Sequence, residues 1–231
     1  MVDFTGGTWR SLIDGSEVSA IPDSADLNIV ASDYDGGNNN WVANIGPDVP
    51  DARNSPSKNQ DTINGTTYDI VRYEDDASQT TELSSSTDPV AFVFVGQSVT
   101  EDDNGIPVDG GSSLELAMND DNNDDGWRLF RGGTEGTDGN AGSSDTNYHI
   151  YTLKGINGDE IELRIDGTSV IGPLVASSSS VTGVTIGDRG DVTGNNADDL
   201  RVRELTRLNN YASGDVSQEE QRLADKYGFS I

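Results

Sequence analysis

"YHIYTLKGINGDEIELRIDG", residues 148–167, decides the fold class. Two segments rich in β-branched and aromatic residues, "YHIYTLKG" (148–155) and "EIELRIDG" (160–167), flank "INGD". Asn-Gly between two such segments reads as the turn of an antiparallel hairpin. In the second segment Ile161, Leu163 and Ile165 alternate with Glu162 and Arg164. Period two sends these sets to opposite sides of a sheet, which predicts one buried and one wet face.

Outward from this hairpin the chain repeats the same grammar: short apolar runs broken by glycine, asparagine and aspartate. "TYDIVRYE" (67–74) and "PVAFVFVGQSV" (89–99) precede it. "AFVFV" shows no alternation, so it belongs at the centre of a sheet covered on both faces. "SLELAM" (113–118) and "GWRLFRG" (126–132) are two strands joined by an acidic turn. "SVIGPLV" (169–175), "VTGVTIGD" (181–188) and "DLRVREL" (199–205) continue the series. One helix is clear, in "SQEEQRLADKYGF" (217–229). Ser217 is its expected N-cap, Glu220 closes a capping box, Leu223 and Tyr227 share a face, and Gly228 stops it. Many short strands with one C-terminal helix predict an all-β protein, a two-sheet antiparallel β-sandwich or jelly roll.

The chain has 231 residues, 41 acidic and 14 basic, for a net charge of -27. Hydrophobic residues make up 32%. Such a balance alone suggests disorder, but the strand runs argue against it. The remaining reading is a folded protein adapted to very high salt. There the Debye length falls to about 3 Å and carboxylate repulsion is screened. Only Lys58, Lys154 and Lys226 are lysines, which limits flexible apolar stems on the surface. A surface this acidic repels phosphates, so nucleic acid is not an expected partner. The absence of cysteine removes disulfides, thiolate catalysis and zinc-thiolate sites. "MVDFTGGTW" shows neither the basic nor the apolar region of a secretory signal, and no apolar run approaches the roughly 20 residues of a membrane span. Synthesis in a cytoplasm without membrane insertion is expected.

Several pieces line up in order with a known family. Residues 26–231 resemble the concanavalin A-like jelly roll in its laminin-G-like form. "ASDYDGGNNNW" matches an acidic turn, a polar run and a tryptophan early in that family. "NYHIYTLKGINGDEIELRIDGTSVIG" matches its middle hairpin, and "VTIGDRG" the glycine-bounded strand that follows. "DDLRVRELTRLNNYASGDVSQEEQRLADKYGF" matches its last strand and closing helix. The long "NDDNNDDG" turn and the charged "LTRLNNYA" depart from the family pattern, and the latter leaves the extent of the last strand open.

Residues 1–25 stand apart. "TWRSLIDGSEVSAIPDS" resembles the segment ahead of exchangeable jelly-roll modules in structural proteins of tailed viruses of haloarchaea. The resemblance implies a docking arm that joins other virion proteins through Trp9, Leu12, Ile13, Val18 and Ile21. The other reading makes this segment the first strand of the sandwich.

Catalysis is not expected. Glycosidases on this fold carry paired carboxylates as E-x-D-x-x-E on one strand, and no such spacing occurs here. His149, the single histidine, sits between Tyr148 and Ile150 in a strand and reads as a sheet-face residue. No cofactor is required by any motif. Asp121, Asn123 and Asp125, followed by Gly126, match the first half of a calcium loop. Its twelfth position is Gly132, which excludes an EF-hand and leaves an irregular Ca2+ turn or a solvated acidic hairpin. Trp41 and Trp127 read as core.

The resemblance also implies sugar binding by loops along one rim or on the concave face. Such sites combine polar side chains for hydroxyl groups with a ring for the apolar sugar face. Tyr34, Asp35, Asn38 and Asn39 in one polar loop, and Asp188, Asn195 and Asn196 in another, are the candidates. Tyr148 and Tyr211 are further candidate rings. Asn64-Gly65-Thr66 forms a glycosylation sequon and is expected to stay unmodified. Three functions remain open. One is a virion surface adhesin on a tail fibre, baseplate or turret, oligomeric and binding host glycan or glycoprotein. The others are a purely structural virion decoration and a stand-alone carbohydrate-binding module.

Overall fold

The computed structural model describes residues 2–5, 8–11, 17–18, 20–74, 77–86, 89–98, 108–110, 114–119, 126–131, 134–137, 147–156, 160–175, 180–187, 200–212 and 214–231. Strands β1 (Val2–Thr5), β2 (Thr8–Ser11) and β3 (Glu17–Val18) form a small antiparallel sheet of their own. Then come β4 (Ala25–Asp35), β5 (Asn40–Ile45), β6 (Asp51–Arg53), β7 (Ser57–Ile63), β8 (Thr66–Tyr73), β9 (Ser78–Ser86) and β10 (Val90–Ser98). The second half holds β11 (Val108–Asp109), β12 (Leu114–Asn119), β13 (Gly126–Arg131), β14 (Thr134–Thr137), β15 (His149–Ile156) and β16 (Glu160–Ile165). It ends with β17 (Thr168–Val175), β18 (Val181–Ile186), β19 (Leu200–Asn209) and the helix α1 (Asp215–Tyr227).

Two antiparallel sheets make the sandwich. The nine-stranded sheet runs β17-β16-β15-β10-β19-β4-β5, with β8 also paired to β19 and β7 to β8. The seven-stranded sheet runs β14-β13-β12-β11-β18-β9-β6. The predicted hairpin is β15–β16, with Leu153 opposite Leu163 and Lys154 opposite Glu162. Strand β10 lies between β15 and β19, and Val90 through Gly96 are buried. Its alternate residues serve two cores. Val90, Phe92 and Phe94 enter the apolar layer between the sheets, together with Trp41, Trp127 and Tyr151. Ala91, Val93 and Val95 enter a second layer under α1, with Val216, Leu223, Ala224 and Tyr227. Burying each large side chain contributes roughly 1.5–3 kcal/mol. This is why "AFVFV" cannot alternate: both faces are dry.

The helix corrects two expectations. It starts at Asp215 with Gly214 at the N-cap, and no side-chain hydrogen bond caps it. Ser217 lies inside its first turn, and Glu220 accepts from Arg164 Nε at 2.8 Å instead of closing a capping box. A half-buried guanidinium makes a charge-assisted pair with that carboxylate, a stronger claim than a neutral backbone N–H. Gly228 does terminate the helix at φ 75°, with its N–H bonded to Ala224 O at 2.8 Å. The hairpin's outer face is also not wet. Glu162 is 6% exposed, because Lys154 Nζ donates to it at 2.5 Å and Arg164 bridges it to the helix side.

Beneath α1 the outer face of β19 is ionic. Glu204 accepts from Asn28 Nδ2 (3.1 Å), Arg222 Nη2 (2.5 Å), Lys226 Nζ (2.6 Å) and Tyr227 O–H (2.5 Å). Glu219 accepts from Arg222 Nε at 2.7 Å and from the Thr206 hydroxyl at 2.6 Å. Burial pushes the Glu204 pKa up, but Lys226 and Arg222 outweigh it and hold the carboxyl down at about 2. Val95 faces Glu204 while Gly96 faces Val202, so Arg203 is the extra residue of a β-bulge. There β19 changes neighbour, pairing β8 through residues 200–202 and β4 through residues 204–208. The Arg203 guanidinium stacks on Tyr68 and Tyr227 at 5.3 and 5.5 Å from the ring centres.

Candidate functional site

Beside the helix, on this same outer face, a polar recess of about 300 Å³ opens between three strands and a turn. Asp61, Thr62 and Ile63 reach it from the end of β7, and Asn64 from the β7–β8 turn. Asn64 and Gly65 have φ of 47° and 83°, the two left-handed positions of a tight hairpin turn. Gln97 comes from β10 and Arg201 from β19, directly opposite one another in the ladder. Asn147 and Tyr148 enter from the residues just before β15.

One carboxylate organises the group. Asp61 Oδ2 accepts from Tyr148 O–H at 3.0 Å and from Arg201 Nη1 at 2.6 Å. Asp61 Oδ1 accepts from the Thr62 N–H at 2.8 Å. Arg201 Nη1 also donates to Gln97 Oε1 at 3.1 Å, which orients that amide. Burial raises the Asp61 pKa, but the Thr62, Tyr148 and Arg201 contacts outweigh it and hold the carboxyl below its usual range. Burial, then the charge of Asp61, pushes the Tyr148 hydroxyl up. At neutral pH Asp61 is therefore an anion paired with a cation, and Tyr148 is a neutral donor with a half-buried ring. Asn64 Nδ2 donates to Tyr227 O and Gly228 O, both at 3.1 Å. Its amide nitrogen ties the recess to the end of the helix instead of standing open as a modification site.

Tyr148 is the sequence candidate that the recess contains; its polar partners lie 87 and 53 residues away in the chain (Asp61, Arg201) and carry no local motif. Tyr34 is corrected. It is 3% exposed, stands edge-on to Trp41 at 6.0 Å and donates to Pro56 O at 2.8 Å. Pairing of Tyr34 with Trp41 in β4–β5 turns the ring inward, so it cannot stack on a ligand. Asp35, Asn38 and Asn39 shape that loop. Asp35 accepts from Gly37 N–H and Asn38 Nδ2, and Asn39 Nδ2 donates to Ser55 Oγ. None of them lines the recess. Tyr211 packs beside the apolar layer under α1. Trp41 and Trp127 are core, as expected, at 0% and 1% exposure. His149 Nδ1 lies 2.6 Å from Asp166 Oδ2, with its ring edge-on to Tyr151.

Asp121, Asn123, Asp125, Asp188, Asn195 and Asn196 lie outside the described residues, as do Leu12 and Ile13. Trp9 and Val18 are ladder partners in the N-terminal sheet, and Ile21 is half-buried.

No family model matches the sequence, and no curated protein matches it. The fold is similar to solved structures. The receptor binding domain of botulinum neurotoxin C/D mosaic serotype is 13% identical, with a TM-score of 0.55 over 86% of this chain and 52% of that one. The binding domain of botulinum neurotoxin DC in complex with SialylT is 9% identical, with a TM-score of 0.55 over 88% and 52%. The same domain in complex with rat synaptotagmin II is also 9% identical, with a TM-score of 0.55 over 89% and 52%. The chain spans about half the length of these neighbours. The likeness is one of fold: a two-sheet β-sandwich, as the laminin-G-like resemblance implied.

Proposed function

We propose that this chain is a non-enzymatic binding head for a glycan or glycoprotein, with the recess beside α1 as its site. The observation that carries the reading is the recess itself, where an aromatic ring, amides and a hydroxyl converge on the surface of a rigid sheet. Those are the groups that hold sugar hydroxyls and a sugar's apolar face. Further support comes from the neighbours, which are binding domains, one in complex with SialylT and one with a synaptotagmin. A catalytic carboxylate would need a proton to give or a lone pair to use. Asp61 has both oxygens committed and its pKa lowered, so it suits positioning.

The acidic composition and the N-terminal segment extend the proposal to the surface of a virion with a salt-loving host. In that setting the head is carried by the N-terminal sheet, whose described strands pair with neither sheet of the sandwich. Several copies on one particle would turn weak sugar sites into firm attachment.

The test is retention of purified protein on host envelope material in multimolar salt, with glycans intact or stripped, with and without chelator. Glycan-dependent retention that Tyr148→Ala abolishes is the expected result. Equal retention on stripped material overturns the glycan reading, and no retention by an assembled oligomer leaves a structural decoration. Loss on chelation would assign Ca2+ a part.

A further inference from the structure

The recess is electrically neutral in a chain that is not, and this determines what charge of ligand it can take. The inference rests on the binding reading above. Arg201 and Asp61 are the charged residues of the lining, and they are paired at 2.6 Å. Thr62, Ile63, Asn64, Gln97, Asn147 and Tyr148 carry no formal charge at neutral pH. Around this neutral patch the chain carries -27.

An anionic sugar meets two obstacles here. The field of the whole molecule opposes its approach. Once inside, its carboxylate finds the charge of Arg201 already neutralised by Asp61, with Nη1 held by Asp61 and Gln97. If it takes the remaining N–H groups of Arg201 it lies beside the Asp61 carboxylate and is repelled, and if it displaces Asp61 it leaves a partly buried carboxylate without its cation. A neutral sugar meets neither obstacle. Its hydroxyls need donors and acceptors of the amide and hydroxyl kind, and the lining offers these with the Arg201–Asp61 pair intact.

We infer that the recess selects neutral over anionic saccharide units, and that Asp61 sets this preference by neutralising Arg201. Asp61 is thus a specificity-determining residue that acts through Arg201. The substitution Asp61→Asn keeps an acceptor for Tyr148 and removes the counter-charge.

The experiment is calorimetric titration of the full chain with a panel of neutral hexosides and N-acetylhexosaminides and with the matching uronides, at low and at multimolar salt. Wild type is expected to bind members of the neutral panel at least about tenfold more tightly than the uronides, a gap of about 1.4 kcal/mol. The gap should narrow in high salt, where the field is screened, but not close, because the ion pair is partly buried. Asp61→Asn should gain about tenfold for uronides and change less for neutral sugars. The double variant Asp61→Asn, Arg201→Gln should lose that gain. A wild type that prefers uronides overturns the inference and leaves the binding reading standing. So does a folded Asp61→Asn variant with the wild-type preference. If Asp61→Asn does not fold, the wild-type panel decides the preference by itself. Binding to neither panel removes the sugar-binding reading and this inference with it.

Discussion

The two faces of the nine-stranded sheet solve the same burial problem with different chemistry. The inner face meets the second sheet through aromatic and aliphatic side chains: Phe94 stacks on Tyr151 at 5.1 Å, and Trp127 stands edge-on to the same ring at 5.0 Å. The outer face meets α1 through an apolar patch and an ionic one. Ala91, Val93 and Val95 pack on Leu223 and Tyr227, while Glu204, Glu219, Arg222 and Lys226 interlock beside them. The difference shows where a chain with 14 basic residues among 41 acidic ones places its cations. Lys154, Arg164, Arg201, Arg222 and Lys226 all ion-pair on the outer face. That face carries both the helix and the recess. The dry face gives stability without direction, and the ionic face fixes how the helix sits.

The largest effect should come from the dry face. Phe94→Ala is expected to cost about 4 kcal/mol, read by denaturant unfolding in multimolar salt. A loss below about 2 kcal/mol would mean the site collapses and the inner layer is not the sealed one. Next, Arg222→Met should cost about 3 kcal/mol, because it leaves Glu204 and Glu219 buried without their shared cation. Raising salt should change that cost little, whereas an exposed pair would weaken.

The contrast also has a pH signature. Glu204 is held at about 2, below its ordinary 4.5. A depressed carboxyl contributes stability that is present above its unfolded pKa and lost as pH falls toward the folded value. About 3 kcal/mol should therefore drain away between about pH 4.5 and pH 2. Glu204→Gln should flatten the stability profile over that window, and a wild-type slope in the variant would clear Glu204 of the effect. Asn64→Ala is a smaller perturbation. Losing its two bonds to the helix end should cost about 1 kcal/mol in a thermal melt. Smallest is Arg203→Lys, expected to cost about 0.5–1 kcal/mol as one planar cation over two rings becomes a point charge. No change would reduce Arg203 to a filler of its bulge.

Local pattern was enough for the hairpin β15–β16 and for the central place of β10, because period two and its absence report directly on how many faces are dry. It was enough for the burial of Leu223 and Tyr227, which follows from helical spacing. It misled at Glu162 and at the start of the helix. At Glu162 the hairpin ladder brings Lys154 and Arg164 onto the carboxylate, and at the helix start Arg164, 56 residues back in the chain, pairs with Glu220 in place of the cap. Tyr34 was misread for a related reason. A tyrosine beside aspartates and asparagines looks like a binding loop, and only its pairing with Trp41 shows that the ring turns inward. The recess was legible only in Tyr148. Asp61, Gln97 and Arg201 are ordinary strand residues whose meeting depends on β7, β10 and β19 converging.

By itself the sequence determined the class of the fold, its acidic character and the strands that must be buried, since these depend on residue type and short-range periodicity. The tertiary structure alone decided which charges are paired, which ring lines the recess and where the recess lies. Those properties belong to contacts between distant segments, and Coulomb and hydrogen-bond energies act across space without regard to separation along the chain.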